Sequence, residues 1–439
     1  MSTVETVTIE ASAPKARRLH YGHVMLGVST MGFLCTLPGQ TIVISQFNNV
    51  LRETLGLSAA GLSQLYMIAT MLAALPLTLV GRFSDRFGTR LAMGLAGVAL
   101  ALACVLMGLV NGPIMLLIGF FCLRFFGQGA LSLVSAHALA MWFEKRLGAM
   151  ESLRTAIFML VNAGVGYAII VLINTTGWRL AYPLMGAVVA LIVLPMVMFL
   201  YRNRPEDIGQ KTDGGHLVLE AVSPVEATGD EIEGQAHVLG EPDFTLREAL
   251  VTRAYAVLAG AVILSPMIGT AMLFHLQPIA ATIGMGEEAA AGMLAVFWIP
   301  SMLAMLIVGR FADRLPAGKA LCAGVSMMAL TCVLFATLAN AFMLACAMGI
   351  FGIGTAMVIL TANPTLARYF GRAHHGAIRG VMTTCIVLST SVGPVIVGYP
   401  IDAFGSHRAA FWLFAAMCVP LALTALTLRP PPRPERSAD

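Results

Sequence analysis

The chain repeats half of itself. Gly81 to Arg90 reads GRFSDRFGTR, and Gly309 to Arg314 reads GRFADR, an offset of 228 in a chain of 439 residues. Each copy stands at the end of a long apolar run, so charge is confined to a tight connection between two buried segments. Three further pairs keep the order. Leu147-Gly148-Ala149-Met150 aligns with His375-Gly376-Ala377-Ile378, Trp178-Arg179-Leu180-Ala181-Tyr182 with His407-Arg408-Ala409-Ala410-Phe411, and Phe126-Gly127-Gln128-Gly129 with Phe351-Gly352-Ile353-Gly354. A near-constant offset of this length predicts two halves of like architecture in parallel order.

What each half is made of follows from its solvent. Hydrophobic residues are 58% of the chain and charged ones 11%, against about 45–50% and about 25% in soluble domains. A soluble protein is excluded. Crossing a bilayer takes about 20 mostly apolar residues, and twelve such segments can be marked. They run near 22–45, 59–81, 91–111, 113–140, 154–175 and 178–200, then 254–282, 289–309, 319–339, 341–366, 379–402 and 408–428. The expected fold is an all-α membrane protein of twelve transmembrane helices in two six-helix halves.

Cation placement orients it. With both termini cytoplasmic, the inside loops hold 23 of the 27 Lys and Arg, and only Arg52, Arg179 and Arg408 lie outside. Retention of Lys and Arg on the cytoplasmic side produces this asymmetry, so the net charge of +4 reports topology and no nucleic-acid partner. The predicted layout is a cytoplasmic tail at 1–20, a first half at 21–201, a linker at 202–252, a second half at 253–428 and a tail at 429–439. The start reads as an uncleaved first helix. The linker is acidic and poor in apolar periodicity, which predicts disorder from about 212 to 242, while Thr245-Leu-Arg-Glu248 has the spacing of a capping box that opens a short helix. All eight cysteines fall in apolar segments without metal-ligand spacing, so no metal or cofactor is expected.

Few residues are left to carry chemistry. Arg124 sits about mid-membrane in the fourth segment, and no Asp or Glu lies deep in any segment to pair with it. An intramembrane Arg is costly and by default marks a functional site. Arg124, Gln128, Ser132 and Ser135 share one helical face, expected to line water. The competing reading makes Arg124 a structural cap for backbone carbonyls of a broken helix. Such a break is expected in the first segment at Pro38-Gly39-Gln40-Thr41, and a second, in the corresponding seventh, at Ser265-Pro266 and His275-Leu276-Gln277-Pro278. Interrupted helices in corresponding positions point to a binding site. Gln40, Thr41, His275, Gln277 and Asn363 therefore join Arg124 and Gln128 as candidate substrate contacts. For His275 a titrating role and a plain hydrogen-bonding role stand side by side.

At the Gly81 turn, Asp85 is the one acid among Arg82, Arg86 and Arg90, and Gly88 permits a positive φ. This stretch resembles the signature loop between the second and third helices of the major facilitator superfamily, and Gly309-Arg-Phe-Ala-Asp313-Arg314 resembles its second-half counterpart. The resemblance implies that Gly81, Asp85, Arg86, Gly88 and Arg90 form an intracellular gate, with Gly309, Asp313 and Arg314 opposite. The second copy departs from the pattern after Arg314, where Leu315-Pro316-Ala317-Gly318-Lys319 interrupts it. Arg124-Phe-Phe-Gly127-Gln128-Gly129 resembles the superfamily's signature in the fourth helix. Gly393-Pro394-Val-Ile-Val-Gly398, with Tyr369-Phe-Gly371-Arg372 before it, resembles the branch of oxalate–formate exchangers and monocarboxylate porters. These likenesses imply a monomeric secondary transporter of the inner membrane, not an enzyme, moving a small organic anion with a coupled proton or an exchanged anion. A neutral or amphipathic substrate such as a vitamin or drug, and a non-transporting sensor, are the alternatives.

Overall fold

A computed structural model describes residues 21–143, 146–210, 212, 244–311, 316–371 and 375–432. Its elements are helices, with no strand among the described residues. The first half comprises α1 (Gly22–Leu34), α2 (Thr41–Ile44), α3 (Asn48–Leu55), α4 (Ala59–Ala74), α5 (Leu77–Phe87), α6 (Thr89–Gly108), α7 (Pro113–Cys122), α8 (Ser132–Ala140), α9 (Leu147–Thr176) and α10 (Trp178–Pro195). After the short α11 (Leu246–Leu250), the second half comprises α12 (Arg253–Phe274), α13 (Leu276–Ala281), α14 (Glu287–Phe311), α15 (Ala317–Ala336), α16 (Ala341–Phe370), α17 (His375–Phe404) and α18 (Arg408–Leu426).

The repeat in the sequence is a repeat in space. α6 and α15 start 228 residues apart, as do α9 and α17, and the latter two are both 30 residues long. Among the described residues, eleven segments are long and apolar enough to cross a membrane, the first running from Gly22 to Leu55 through its breaks. The second expected segment, 59–81, is instead two helices, α4 and α5, parted at Leu75-Pro76, where proline removes a backbone donor and crowds the preceding turn. The Thr245 capping box forms as expected. Its hydroxyl accepts from the Glu248 N–H at 3.4 Å, and the Glu248 carboxylate accepts from the Thr245 N–H at 2.8 Å. The stretch expected to be disordered, 212–242, lies outside the described residues apart from 212.

The signature stretch is not the loop its charges suggest. α5 continues through Gly81-Arg82-Phe83-Ser84-Asp85-Arg86-Phe87, and the whole turn is Gly88, with φ +88° and ψ 149°. The reason is amphipathicity: Arg82 and Arg86 are exposed, four apart on one face, while Ser84 on the other is buried. The Asn203 side chain then takes up the donors that open α6, accepting from the Arg90 N–H at 2.9 Å and the Thr89 hydroxyl at 3.3 Å.

The two glycines of this stretch are expected to respond oppositely to Ala. Gly88 holds a conformation nearly closed to other residues, so Gly88→Ala should lose about 1–3 kcal/mol. Gly81 is helical, with no atom within 4 Å of an added Cβ, and Gly81→Ala should gain about 0.5–1 kcal/mol. Thermal unfolding of the two variants in detergent reads the sign directly.

The halves meet along α4 against α17, α9 against α14 and α2 against α12. Small residues allow the approach. Gly398 of α17 lies against the Ala59 carbonyl and the Ala60 Cα, and Gly166 of α9 against Leu294.

Candidate functional site

The break in the first segment and the middle of the fourth are one structure. Leu37-Pro38-Gly39 forms a 3-10 turn, and between α7 and α8 the residues Leu123–Leu131 form a π-helix. A Cβ added at either Gly39 or Gly127 would fall 3.0 Å from the Cα of the other, so the two backbones touch where both are irregular. π segments widen the turn and are frequent at functional positions. Arg124 lies in this segment and is buried, 4% exposed.

Its guanidinium does two things. Nη1 donates to the Gly39 carbonyl and to the Thr41 hydroxyl, both at 3.3 Å, and the group lies 5.2 Å from the centre of the Tyr66 ring. The Tyr66 hydroxyl bonds Thr41 Oγ1 at 2.7 Å. The structural reading is thus present: Arg124 caps a carbonyl freed by the break. Nε, however, is buried with no partner among the described residues, and the same is true of Gln128 Oε1 and Thr70 Oγ1. Arg124, Gln128 and Thr70 line one cavity of about 80 Å³ between the halves, closed by Val387 of α17. No carboxylate among the described residues pairs with Arg124.

The rest of the expected stripe does not reach this cavity. Ser135 is fully buried; its hydroxyl donates to the Leu131 carbonyl and its own carbonyl accepts from Ser29 of α1. The π segment breaks the 3.6-residue period on which the expectation of a single water-lined face rested. Gln40 lies beside Thr41 and donates to Thr36 Oγ1 at 3.0 Å.

His275 and Gln277 are placed elsewhere, in the junction of the halves. His275 Nε2 is 2.8 Å from the Pro394 carbonyl and 3.3 Å from Ser63 Oγ. Gln277 donates to Gln46 Oε1 at 2.9 Å, Asn48 to the Phe274 carbonyl at 2.5 Å, and Asn49 to the Glu287 carboxylate at 3.0 Å. The Asp402 carboxylate accepts from the N–H groups of Ala59 and Ala60, at 2.9 and 2.6 Å. The Asp402 bonds join the start of α4 to the end of α17, and those of residues 46–49 reach the end of α12, α13 and the start of α14; α4 begins at the end of the bundle opposite the Gly88 turn. Of the expected gate at that turn, Arg86 reaches over the Phe87 ring and Arg90 donates to the Val197 and Met198 carbonyls. Asp313 and Arg314 lie outside the described residues, as does the Asp85 side chain. Gly309 is within α14.

Asn363 belongs to a third place. A cavity of about 390 Å³ lies within the second half, lined from α12, α14, α16 and α17, and holds Asn363 together with Arg379, Trp298, Phe297 and Phe351. Ile386 lines this cavity and its neighbour Val387 closes the one at Arg124. The two spaces therefore share a wall, α17. Tyr66, Thr70, Trp298 and Arg379 were not singled out from the sequence. Arg379 had a signal, since Ile378-Arg379-Gly380 opens an apolar run, but a cation at a segment end reads as topology. Among the described residues no group of His, Cys, Asp or Glu could hold a metal.

Comparison with known proteins agrees with this architecture. The chain is 22% identical over 338 residues, 76% of its own length and 77% of the relative's, to the MFS-type transporter YhjX of Escherichia coli K12. Among solved structures it resembles a D-xylose–proton symporter (17% identity, 93% of this chain and 98% of that one, TM-score 0.66). It also resembles the nucleoside transporter NupG (12%, 93% and 99%, 0.66). A third likeness is to a bacterial homologue of the lysosomal transporter Spinster in an inward-facing, unoccupied conformation (15%, 93% and 95%, 0.63). The Major Facilitator Superfamily model matches residues 29–286 and 257–439, and the chain belongs to that superfamily of multi-pass membrane transporters.

Proposed function

We propose that this transporter carries a small organic anion of the monocarboxylate kind, by alternating access around the Arg124 cavity. The observation that carries the reading is that Arg124, Gln128 and Thr70, each with a buried polar atom that has no partner among the described residues, line a single space that one half lines and the other closes. A buried donor or acceptor without a partner is costly, and a carboxylate bearing a hydroxyl group satisfies donors and acceptor together. The Gly39 and Thr41 contacts fix the guanidinium in place beforehand, so binding orders little.

The cation asymmetry supports a cytoplasmic Gly88 turn and an outer position for the Asp402 and Gln277 contacts. On that reading the conformation is closed outside. Bringing an anion inward against the membrane potential costs about 2.3 kcal/mol per 100 mV, so uptake needs a coupled cation or an exchanged anion. His275 fits the proton-carrying role only when the outer closure parts, because Nε2 is engaged there with Pro394 and Ser63.

The test is uptake of labelled monocarboxylates, oxalate, sugars and vitamins into proteoliposomes under imposed proton and anion gradients. The expected result is accumulation of an organic acid at least about tenfold above empty liposomes, stimulated by unlabelled acid inside. Accumulation of a neutral compound with no acid would sink the anion reading.

A further inference from the structure

The cavity of the second half is built for more than a carboxyl group. Building on the organic-anion reading, we infer that the substrate is an aromatic acid, its ring received by the cavity between α12, α14, α16 and α17. At about 390 Å³ the space stands at the small end of the range for ligand pockets, about 300–1,000 Å³. That suits a single ring and leaves a two-carbon acid mostly unsupported.

The wall has an aromatic edge. Phe297 and Trp298 lie edge to face with ring centres 4.7 Å apart, and Phe297 and Phe351 stack at 5.8 Å. Rings prefer to extend such offset and edge-on arrangements with another ring. Most hydroxyl protons of the wall are already committed: Ser265 donates to Thr355, Thr270 to the Pro266 carbonyl, and Thr383 to the Arg379 carbonyl, which leaves the proton of Thr355. What remains for a ligand is chemically specific. Trp298 Nε1 is buried with no partner among the described residues, a donor that an oxygen on the ring would satisfy. Arg379 and Asn363 line the same space and are both exposed; a guanidinium there attracts an anion without holding it as a buried one does. Ile386 and Val387 are neighbours on α17, so the helix that walls this ring site is also the one that closes the Arg124 cavity.

Calorimetric titration of the full-length protein in nanodiscs with benzoate, 4-hydroxybenzoate, acetate, oxalate and benzyl alcohol tests this. Benzoate is expected to bind at least about tenfold more tightly than acetate or oxalate, and 4-hydroxybenzoate more tightly still. Trp298→Phe keeps a ring and removes the N–H, and is expected to weaken 4-hydroxybenzoate about tenfold, the worth of one buried hydrogen bond, while changing benzoate by less than about threefold. Acetate or oxalate binding as tightly as benzoate overturns the aromatic inference and leaves the anion reading standing. Benzyl alcohol binding as tightly as benzoate overturns the anion reading and the acid with it. The ligand series on the unaltered protein decides both questions even where the variant fails to fold, and absence of binding by every aromatic acid overturns the inference outright.

Discussion

Arg124→Ala is expected to lower organic-anion uptake at least about thirtyfold, with a folded protein left behind. The size follows from what the residue meets. Removing one partner of a buried, charge-assisted contact costs about 2–5 kcal/mol, and every 1.4 kcal/mol is about tenfold in affinity. The confounding role is the cap on Gly39 and the bond to Thr41, whose loss alone would loosen the break in the first segment. Two conservative variants separate the roles. Arg124→Lys keeps the charge and loses the planar fork, so it should retain part of the binding at reduced affinity. Arg124→Gln keeps a donor for the Gly39 carbonyl and loses the charge, so it should fold as the unaltered protein does and fail to transport. Uptake at saturating and limiting substrate, beside thermal unfolding of each variant, reads both. Normal uptake by Arg124→Ala would assign Arg124 to the scaffold and move the search to neutral substrates.

The fold was legible because a membrane chain announces its spans by apolar length and its symmetry by repeats. Offsets read between Leu147 and His375 reappear as the starting points of α9 and α17. What the sequence hid is local and tertiary. A charged stretch between apolar runs reads as a loop, yet Gly81 to Phe87 is helical because Ser84 faces inward while Arg82 and Arg86 face out. Arg124 was visible as an unpaired charge. Its contact with Gly39 was not, since the approach of two backbones depends on a π segment that no residue pattern marks. His275 and Gln277 looked like site residues because breaks in corresponding spans point inward. The contacts of His275 with Ser63 and Pro394, and of Gln277 with Gln46, place both between the halves at one end, and such pairings across the repeat are not encoded by spacing. The aromatic cavity was missed for a plainer reason: Phe297, Trp298 and Phe351 in apolar helices are indistinguishable from core until the fold leaves space beside them.

Gly398→Val is expected to hold the junction of the halves at the start of α4 open. A Cβ at Gly398 would already lie 3.0 Å from the Ala59 carbonyl oxygen, the Ala60 Cα and Ser63 Oγ; two of these are backbone, which cannot rotate away as a side chain can. Valine adds two methyl groups beyond that Cβ. Overpacking of this kind costs about 1–3 kcal/mol, and it falls only on the conformation in which α4 and α17 touch, so it is a differential cost between two states. Only such a difference moves an equilibrium, here by about five- to 150-fold. One turn away, Asp402 accepts from the Ala59 and Ala60 N–H groups at the start of α4, where negative charge is favoured. Asp402→Ala removes that attraction without adding bulk. The carboxylate is exposed, so its loss should shift the same equilibrium in the same direction by about tenfold or less. Amide hydrogen exchange in nanodiscs reports on the junction, because the Ala59 and Ala60 N–H groups bond Asp402 across it. Faster exchange at the start of α4 in both variants, together with slower net uptake, is the expected pattern. Exchange at the start of α4 unchanged in Gly398→Val would mean that α4 and α17 do not part during the cycle, and the junction would then have to open along α9 and α14, where Gly166 meets Leu294.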